Sequence, residues 1–272
     1  MPRDLTEVPR LARLTCQRQK RQLWLAGNGS YNGAMCGRGG LDYSWQRIHD
    51  YMDLAGEPRE GGVRQPNVAP STRRAGEVRW SRVPVVRDTG QGRQIEPLVW
   101  PLVPHWLKGE LPKFSTANCR SESDQPFTQT VNGKPAFRNA WKRNRRCLVP
   151  FSWFYEWDQR TRPRQPWRVM PAGHPVLVMA GLWDSSRSAE GEEITSFTIV
   201  TTQPNRLLTE IGHHRSPVIV EPEDWETWLT ASPEQAESLI QPPADGTLSA
   251  DQVTARVNNP EYQGEDLFPP PG

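Results

Sequence analysis

Along the chain the apolar positions recur at short intervals and are cut repeatedly by proline and glycine. Over residues 41–54, Leu41, Trp45, Ile48 and Met52 fall three to four apart, the spacing of one helical face, and Gly56 and Pro58 stop the run. This predicts one amphipathic helix. Beyond it the period shortens. Segments 78–86, 97–103, 147–157, 167–170, 176–183 and 196–201 are brief, rich in β-branched and aromatic residues and bounded by turn formers, which predicts strands. Residues 204–211 predict a short helix, 218–220 a buried strand, and 222–229 a helix opened by proline and acidic residues. Ser232 and Gln235 have the spacing of a capping box, so 232–240 reads as a further helix. Residues 1–34 show no sustained period and end in the turn-rich run Gly27-Asn28-Gly29-Ser30-Tyr31-Asn32-Gly33. No repeat and no linker interrupts the chain after residue 36, so the expected class is α+β: a single compact, β-rich domain with short peripheral helices.

Composition narrows the class further. The 272 residues hold 12 Trp and 27 Pro with only 35% hydrophobic residues. So many prolines exclude a long helical bundle, so many aromatics exclude a disordered chain, and no run approaches the roughly 18 apolar residues of a membrane span. The net charge of +2 conceals an asymmetry: residues 100–170 carry thirteen basic against five acidic side chains, and 171–272 four against sixteen. A basic middle third suits a polyanionic partner. Cys16, Cys36, Cys119 and Cys147 form neither a C-x-x-C pair nor a regular framework, which argues against a disulfide scaffold and against a zinc site. The apolar stretch 23–26 is too short for a secretory signal. The expected setting is cytoplasmic, with no metal and no organic cofactor.

Several short runs could carry chemistry. In Met35-Cys36-Gly37-Arg38, initiation at Met35 and removal of that methionine would make Cys36 N-terminal, with an amine and a thiol on adjacent carbons. These titrate near about 7.7–8.0 and about 8.5. With an aldehyde, the amine forms a Schiff base and the thiol closes on it to give a thiazolidine. The other reading is an ordinary buried cysteine. In the run 116–122, alternation sets Asn118, Arg120 and Glu122 on one face, either as an orienting amide beside a phosphate-holding arginine or as a solvated loop with a local ion pair. The run Phe151-Ser152-Trp153-Phe154-Tyr155-Glu156-Trp157 encloses a carboxylate in aromatics. If buried, Glu156 has a raised pKa and suits a general acid; on an edge strand it would turn to water. In Gly212-His213-His214-Arg215-Ser216-Pro217, one imidazole is placed for acid–base work, or both are structural. Trp106 with Lys108, and Trp141-Lys142-Arg143-Asn144-Arg145-Arg146, mix rings and cations as single-stranded nucleic acid requires, or are solvated faces.

Six segments taken in order resemble the SOS-response-associated peptidase (SRAP) family: Met35-Cys36-Gly37-Arg38, Pro66-Asn67-Val68-Ala69-Pro70, Trp100-Pro101-Leu102-Val103-Pro104-His105-Trp106, Asn118-Cys119-Arg120-Ser121-Glu122, Phe154-Tyr155-Glu156-Trp157 and His213-His214-Arg215-Ser216-Pro217. The resemblance implies an extension over 1–34, an SRAP domain over 35–260 and a flexible tail over 261–272. It further implies a DNA-repair protein of the damage response that senses abasic sites in single-stranded DNA and traps them as a thiazolidine crosslink. Cys36 is then the covalent nucleophile, Asn118 orients its N-terminal group, Glu156 assists ring opening and proton transfer, and His213 begins the H-x-R-x-P motif. Arg38, Asn67 and Arg120 match DNA-contacting positions, and Trp106 an aromatic near the break in the strand. Autoproteolytic removal of the initiator methionine and a weaker lyase or crosslink-reversal activity belong to the same expectation, as does a monomer that meets the nucleoid only through DNA.

The sequence departs from that pattern at Trp153, where glycine is common, and at Ser216, where Met or Arg is common. The extension 1–34 would acylate the amine of Cys36, so the expected start is Met35, with a leader cut before Cys36 as the other route. Two other functions fit the same residues: a cysteine peptidase using Cys36, His213 and Glu156, and a noncatalytic single-strand-binding module.

Overall fold

A computed structural model describes residues 37–121 and 125–270. Cys36 and Glu122 lie outside the described residues. Leu41 and Tyr43 are buried while Asp42 and Ser44 are exposed, the two-residue alternation of a strand. The chain therefore opens with β1 (Gly39–Ser44), and helix α1 (Trp45–Met52) starts only at Ser44, whose hydroxyl accepts from the Arg47 N–H. The helix expected over 41–54 is corrected at its start, because Leu41 shares the helical spacing by coincidence and belongs to the strand.

The remaining elements follow the punctuation of the sequence. Strands β2 (Gly62–Val68), β3 (Thr72–Arg74), β4 (Glu77–Arg79), β5 (Ser81–Asp88) and β6 (Arg93–Trp100) precede β7 (Asn118–Arg120). Helices α2 (Phe127–Asn132) and α3 (Pro135–Lys142) lead into β8 (Arg146–Phe151) and β9 (Trp153–Trp157), then β10 (Pro166–Pro171), β11 (Leu177–Arg187) and β12 (Glu193–Thr202). Helix α4 (Arg206–Glu210), β13 (Ser216–Pro217), α5 (Trp225–Thr230), α6 (Pro233–Glu237) and β14 (Leu248–Gln252) complete the order. The run 78–86 breaks at Trp80 and the run 147–157 at Ser152, while the strand expected over 97–103 is β6, which ends at Trp100. The strand expected over 218–220 reduces to a bridge between Ile219 and Met179. The capping box of Ser232 and Gln235 is present at α6.

One sheet closes on itself. Strands β11, β8, β5, β6 and β12 pair in that order and β12 pairs again with β11, so this ring has no free edge among those five strands. Trp100 fills it, stacked on Phe197 at 6.0 Å and against Phe151 at 6.1 Å, its indole N–H given to the Ala117 carbonyl. The second sheet runs β14-β10-β9-β1-β2. Strand β9 is covered on both faces: Phe154 joins the main core, whereas Trp153 and Tyr155 form a second cluster with Val257 and Leu267.

That second cluster anchors part of the stretch expected to be a loose tail. Leu267 is fully buried, its carbonyl accepts from Tyr155 and Arg168, and Phe268 packs edge-on against Trp153. In the basic run 141–146 the two ends turn inward, while Lys142, Arg143 and Asn144 stay exposed. Trp141 lies in the core and Arg146 is buried, its guanidinium holding the carbonyls of Trp228 and Ala231, so this pair ties α5 to β8 rather than facing a ligand. Among the described residues no helix is long and apolar enough to cross a membrane, and no group of three His, Cys, Asp or Glu could hold a metal.

Candidate active site

Side chains alternate along β9, so Glu156 shares the inner face of Phe154 while Trp153, Tyr155 and Trp157 look the other way. Its carboxylate is consequently withdrawn from water, as the aromatic run predicts for a strand covered on both faces. His213 meets it. The Nδ1 of His213 stands 3.2 Å from Glu156 Oε2, and both side chains are 1% exposed. Neither ring nitrogen of His213 makes a hydrogen bond of good angle among the described residues. A carboxyl and an imidazole so placed can pass a proton between them, and burial strengthens their interaction.

The loop that delivers His213 is built by local chemistry. Asn205 caps α4 by accepting from Leu208 N–H, and the helix ends in paired bonds from Gly212 N–H to the Thr209 carbonyl and from His213 N–H to the Leu208 carbonyl. This is the Schellman pattern, with Gly212 in the left-handed region at φ 82°. Gly212 must also lack a side chain for a second reason: a Cβ there would lie 2.2 Å from Asp158 Oδ1. Asp158, just past β9, is gripped by Arg160 through bonds of 2.9 Å to each carboxylate oxygen, and Arg160 also reaches the Glu210 carbonyl. The Arg160 side chain and backbone N–H hold the Asp158 carboxyl below its ordinary value. Gln159 N–H bonds the Gly212 carbonyl. The end of β9 and the loop carrying His213 are thus stapled together.

The other end of the site is the start of β1. Gly39 pairs with Phe154 and Gly40 with Trp153, and the Arg38 carbonyl accepts from Tyr155 N–H. One further step of this register sets Gly37 opposite Glu156. Trp153 is accommodated because its indole lies over Gly40, where a Cβ would sit 2.0 Å from the ring.

Asn118 and Arg120 lie on β7, which pairs in parallel with β12, and β13 pairs with the same strand. Thr201 faces Arg120 across one pairing and Pro217 across the other, so the segments 118–120 and 213–217 converge on the end of β12. Arg120 is exposed and Asn118 half-buried. Trp106, on a short 3-10 turn, is 42% exposed and packs edge-on against His105. Ser216 is buried, with its hydroxyl on the Pro217 carbonyl. His213 and His214 stack at 5.2 Å, and of the two only His213 is buried.

Arg38 and Asn67, expected at DNA-contacting positions, also bond the protein itself. Asn67 is buried, accepts from Arg38 at 3.0 Å, and gives its amide to the carbonyls of Val257, Asn259 and Tyr262. Arg38 bonds the carbonyls of Val257 and Asn258, and burial pushes its pKa down to about 10, which leaves it charged at neutral pH. Asn67 and Arg38 form a clasp: together the two residues fasten the stretch 257–262 against the strand that follows Cys36. Sequence reading missed this clasp and the Asp158–Arg160 staple. Gly212 directly after a short helix is the one local signal that pointed to the latter.

The chain is similar to known proteins over most of its length. The profile of a family described as SOS response associated peptidase (SRAP) matches residues 35–260. Abasic site processing protein YoqW of Bacillus subtilis is 30% identical over 240 residues, covering 86% of this chain and 99% of the relative. Abasic site processing protein HMCES of Pongo abelii is 30% identical over 260 residues, covering 81% of this chain and 71% of the relative. A crystal structure of a Bordetella bronchiseptica protein superposes with a TM-score of 0.64 at 25% identity, over 80% of this chain and all of the other.

Proposed function

The chain belongs to the SOS response associated peptidase (SRAP) family, matched over residues 35–260, and on that premise we propose that it processes abasic sites in single-stranded DNA by covalent capture through Cys36. The observation that carries this reading is the buried Glu156–His213 pair, 3.2 Å apart, at the end of β9 beside the Gly37–Arg38 stretch that directly follows the cysteine.

The chemistry proceeds in balanced steps. An abasic deoxyribose is a hemiacetal, and proton transfer to its ring oxygen opens it to an aldehyde; Glu156 is suited to that transfer, with His213 as proton partner. The free amine of Cys36 adds to the aldehyde carbon and loses water to give an iminium. The Cys36 thiolate then adds to the same carbon and closes the five-membered thiazolidine with its ring N–H neutral, the proton released by the thiol balancing the one taken up in forming the iminium. One water leaves overall, and no redox partner is needed. Asn118 is assigned to orient the Cys36 amine, and Arg120 and Trp106 to hold a phosphate and a base of the strand.

This chemistry requires an unacylated Cys36, so the active form begins at Cys36, by cleavage of the Met35–Cys36 bond. The clasp of Arg38 and Asn67 supports the same reading, because it fixes the strand on which the nucleophile is carried. Protein beginning at Cys36 is incubated with single-stranded DNA bearing one abasic site and run under denaturing conditions. A heat-stable adduct lost in Cys36→Ser is the expected result. Cleavage of unrelated peptides without an adduct would instead make the protein a cysteine peptidase.

A further inference from the structure

Hairpin β3–β4 pairs with no strand of the two larger sheets. A two-stranded ribbon by itself is marginal in water, and this one buries little, yet it is dense in cations: Arg73, Arg74 and Arg79, followed by Trp80 and Arg82. Trp80 is 39% exposed. The hairpin borders a groove of about 940 Å3 lined by β2 from Arg64 to Val68, by Arg79, Trp80 and Arg82, and by the stretch 260–268.

Two carboxylates of that stretch occupy the arginines. Glu265 binds Arg64 through two parallel bonds of 2.7 Å, and Glu261 pairs with both Arg74 and Arg79. Two parallel bonds from one guanidinium to two oxygens is also the geometry by which arginine takes a phosphate. Arg73 and Arg82 have no ion pair among the described residues. The remaining acidic groups nearby are Asp42, 3.9 Å from Arg64, Glu77 on the ribbon, and Asp266, 3.9 Å from Arg256, so the cations stay in slight excess.

We propose that this groove takes a length of unpaired DNA flanking the abasic site: phosphates on Arg79 and Arg82, a base stacked on Trp80, and Glu261 standing in a phosphate's place until the strand displaces it. Charge complementarity and an exposed indole among arginines select a single strand, since a paired base has no free face to stack. The groove is continuous with the proposed reaction site through Asn67, which lines it and holds Arg38. The inference rests on the reading of the protein as an abasic-site processor.

The test takes the chain beginning at Cys36 and measures its noncovalent binding to an intact single-stranded oligonucleotide of about 20 nucleotides, by fluorescence anisotropy over a salt series, beside crosslinking of an abasic trinucleotide that carries little flanking strand. Trp80→Ala and Arg82→Ala are expected to weaken binding about fivefold or more. Glu261→Gln is expected to tighten it about threefold, and trinucleotide crosslinking stays unchanged in all three. If the trinucleotide crosslinks while these substitutions move the affinity less than about twofold, or Glu261→Gln weakens it, the groove is not a strand path and this inference falls alone. If the wild-type chain neither binds DNA nor crosslinks, the reading beneath it falls too.

Discussion

Glu156 and His213 face each other at 3.2 Å, out of reach of water, although one sits on a strand and the other follows a helix 57 positions later. Neither could be placed without the other. Glu156→Gln keeps the shape and removes the proton. Formation of the abasic-site adduct is expected to slow by about 100-fold or more, with affinity for intact single-stranded DNA unchanged. His213→Ala should cost a similar factor, and the double variant little more than either, because the two act as one unit. Additive losses would separate their roles.

Gly212→Ala tests the staple without touching a reacting group. A Cβ there meets the Asp158 carboxylate, and the left-handed backbone at φ 82° penalises any side chain. The left-handed strain alone costs about 1–2 kcal/mol, so the melting midpoint should fall by about 2–8 °C. Adduct formation should slow even below that midpoint, as His213 moves from Glu156.

Asn67→Ala removes the amide that serves the carbonyls of Val257, Asn259 and Tyr262. Arg38 still bonds the Val257 carbonyl, so the loss falls on the carbonyls of Asn259 and Tyr262 and on Arg38 itself, and costs about 1 kcal/mol. Limited proteolysis should then cut first within 253–268, a region anchored in the wild-type chain by Val257 and Leu267 against Trp153 and Tyr155. Cutting elsewhere first would show that the clasp is not what holds this stretch.

Much of this was legible in the residues. Short strands punctuated by proline and glycine, the capping box at Ser232, and a carboxylate buried on the aromatic strand at Glu156 each have a local cause, and each is present. What was not legible depends on contacts distant in sequence. Leu41 fits a helical period as well as a strand, and only its pairing across β2 decides. The prolines near the end make the last dozen residues look loose, yet Leu267 is buried in a cluster with Trp153 and Tyr155, more than a hundred positions earlier. Trp141 and Arg146 look like a nucleic-acid patch until α5 is seen to pack there. Asn67 carries the family's motif, but its partners are backbone carbonyls, which no side-chain pattern announces.

Acid should loosen the site before neutral conditions do. The Arg160 side chain and backbone N–H depress the Asp158 carboxyl, and Arg64 depresses that of Glu265. A carboxyl depressed in the folded state contributes stability that is fully present above its unfolded pKa of about 4, and lost as pH falls through the lower folded value. The melting midpoint is expected to be level from about pH 7 to 5 and to drop below about 4. In Arg160→Ala the drop is shallower. A wild-type midpoint level down to about pH 3 would contradict this.

The central claim is that the aminothiol of Cys36 captures the opened sugar, and intact mass after reaction with single-stranded DNA carrying one abasic site tests it most directly. Chain beginning at Cys36 should yield a species equal to protein plus DNA less one water, absent in Cys36→Ala and absent when the Cys36 amine is acetylated. An adduct formed equally well by the chain in which Met35 still precedes Cys36, or by the acetylated protein, would contradict the thiazolidine account.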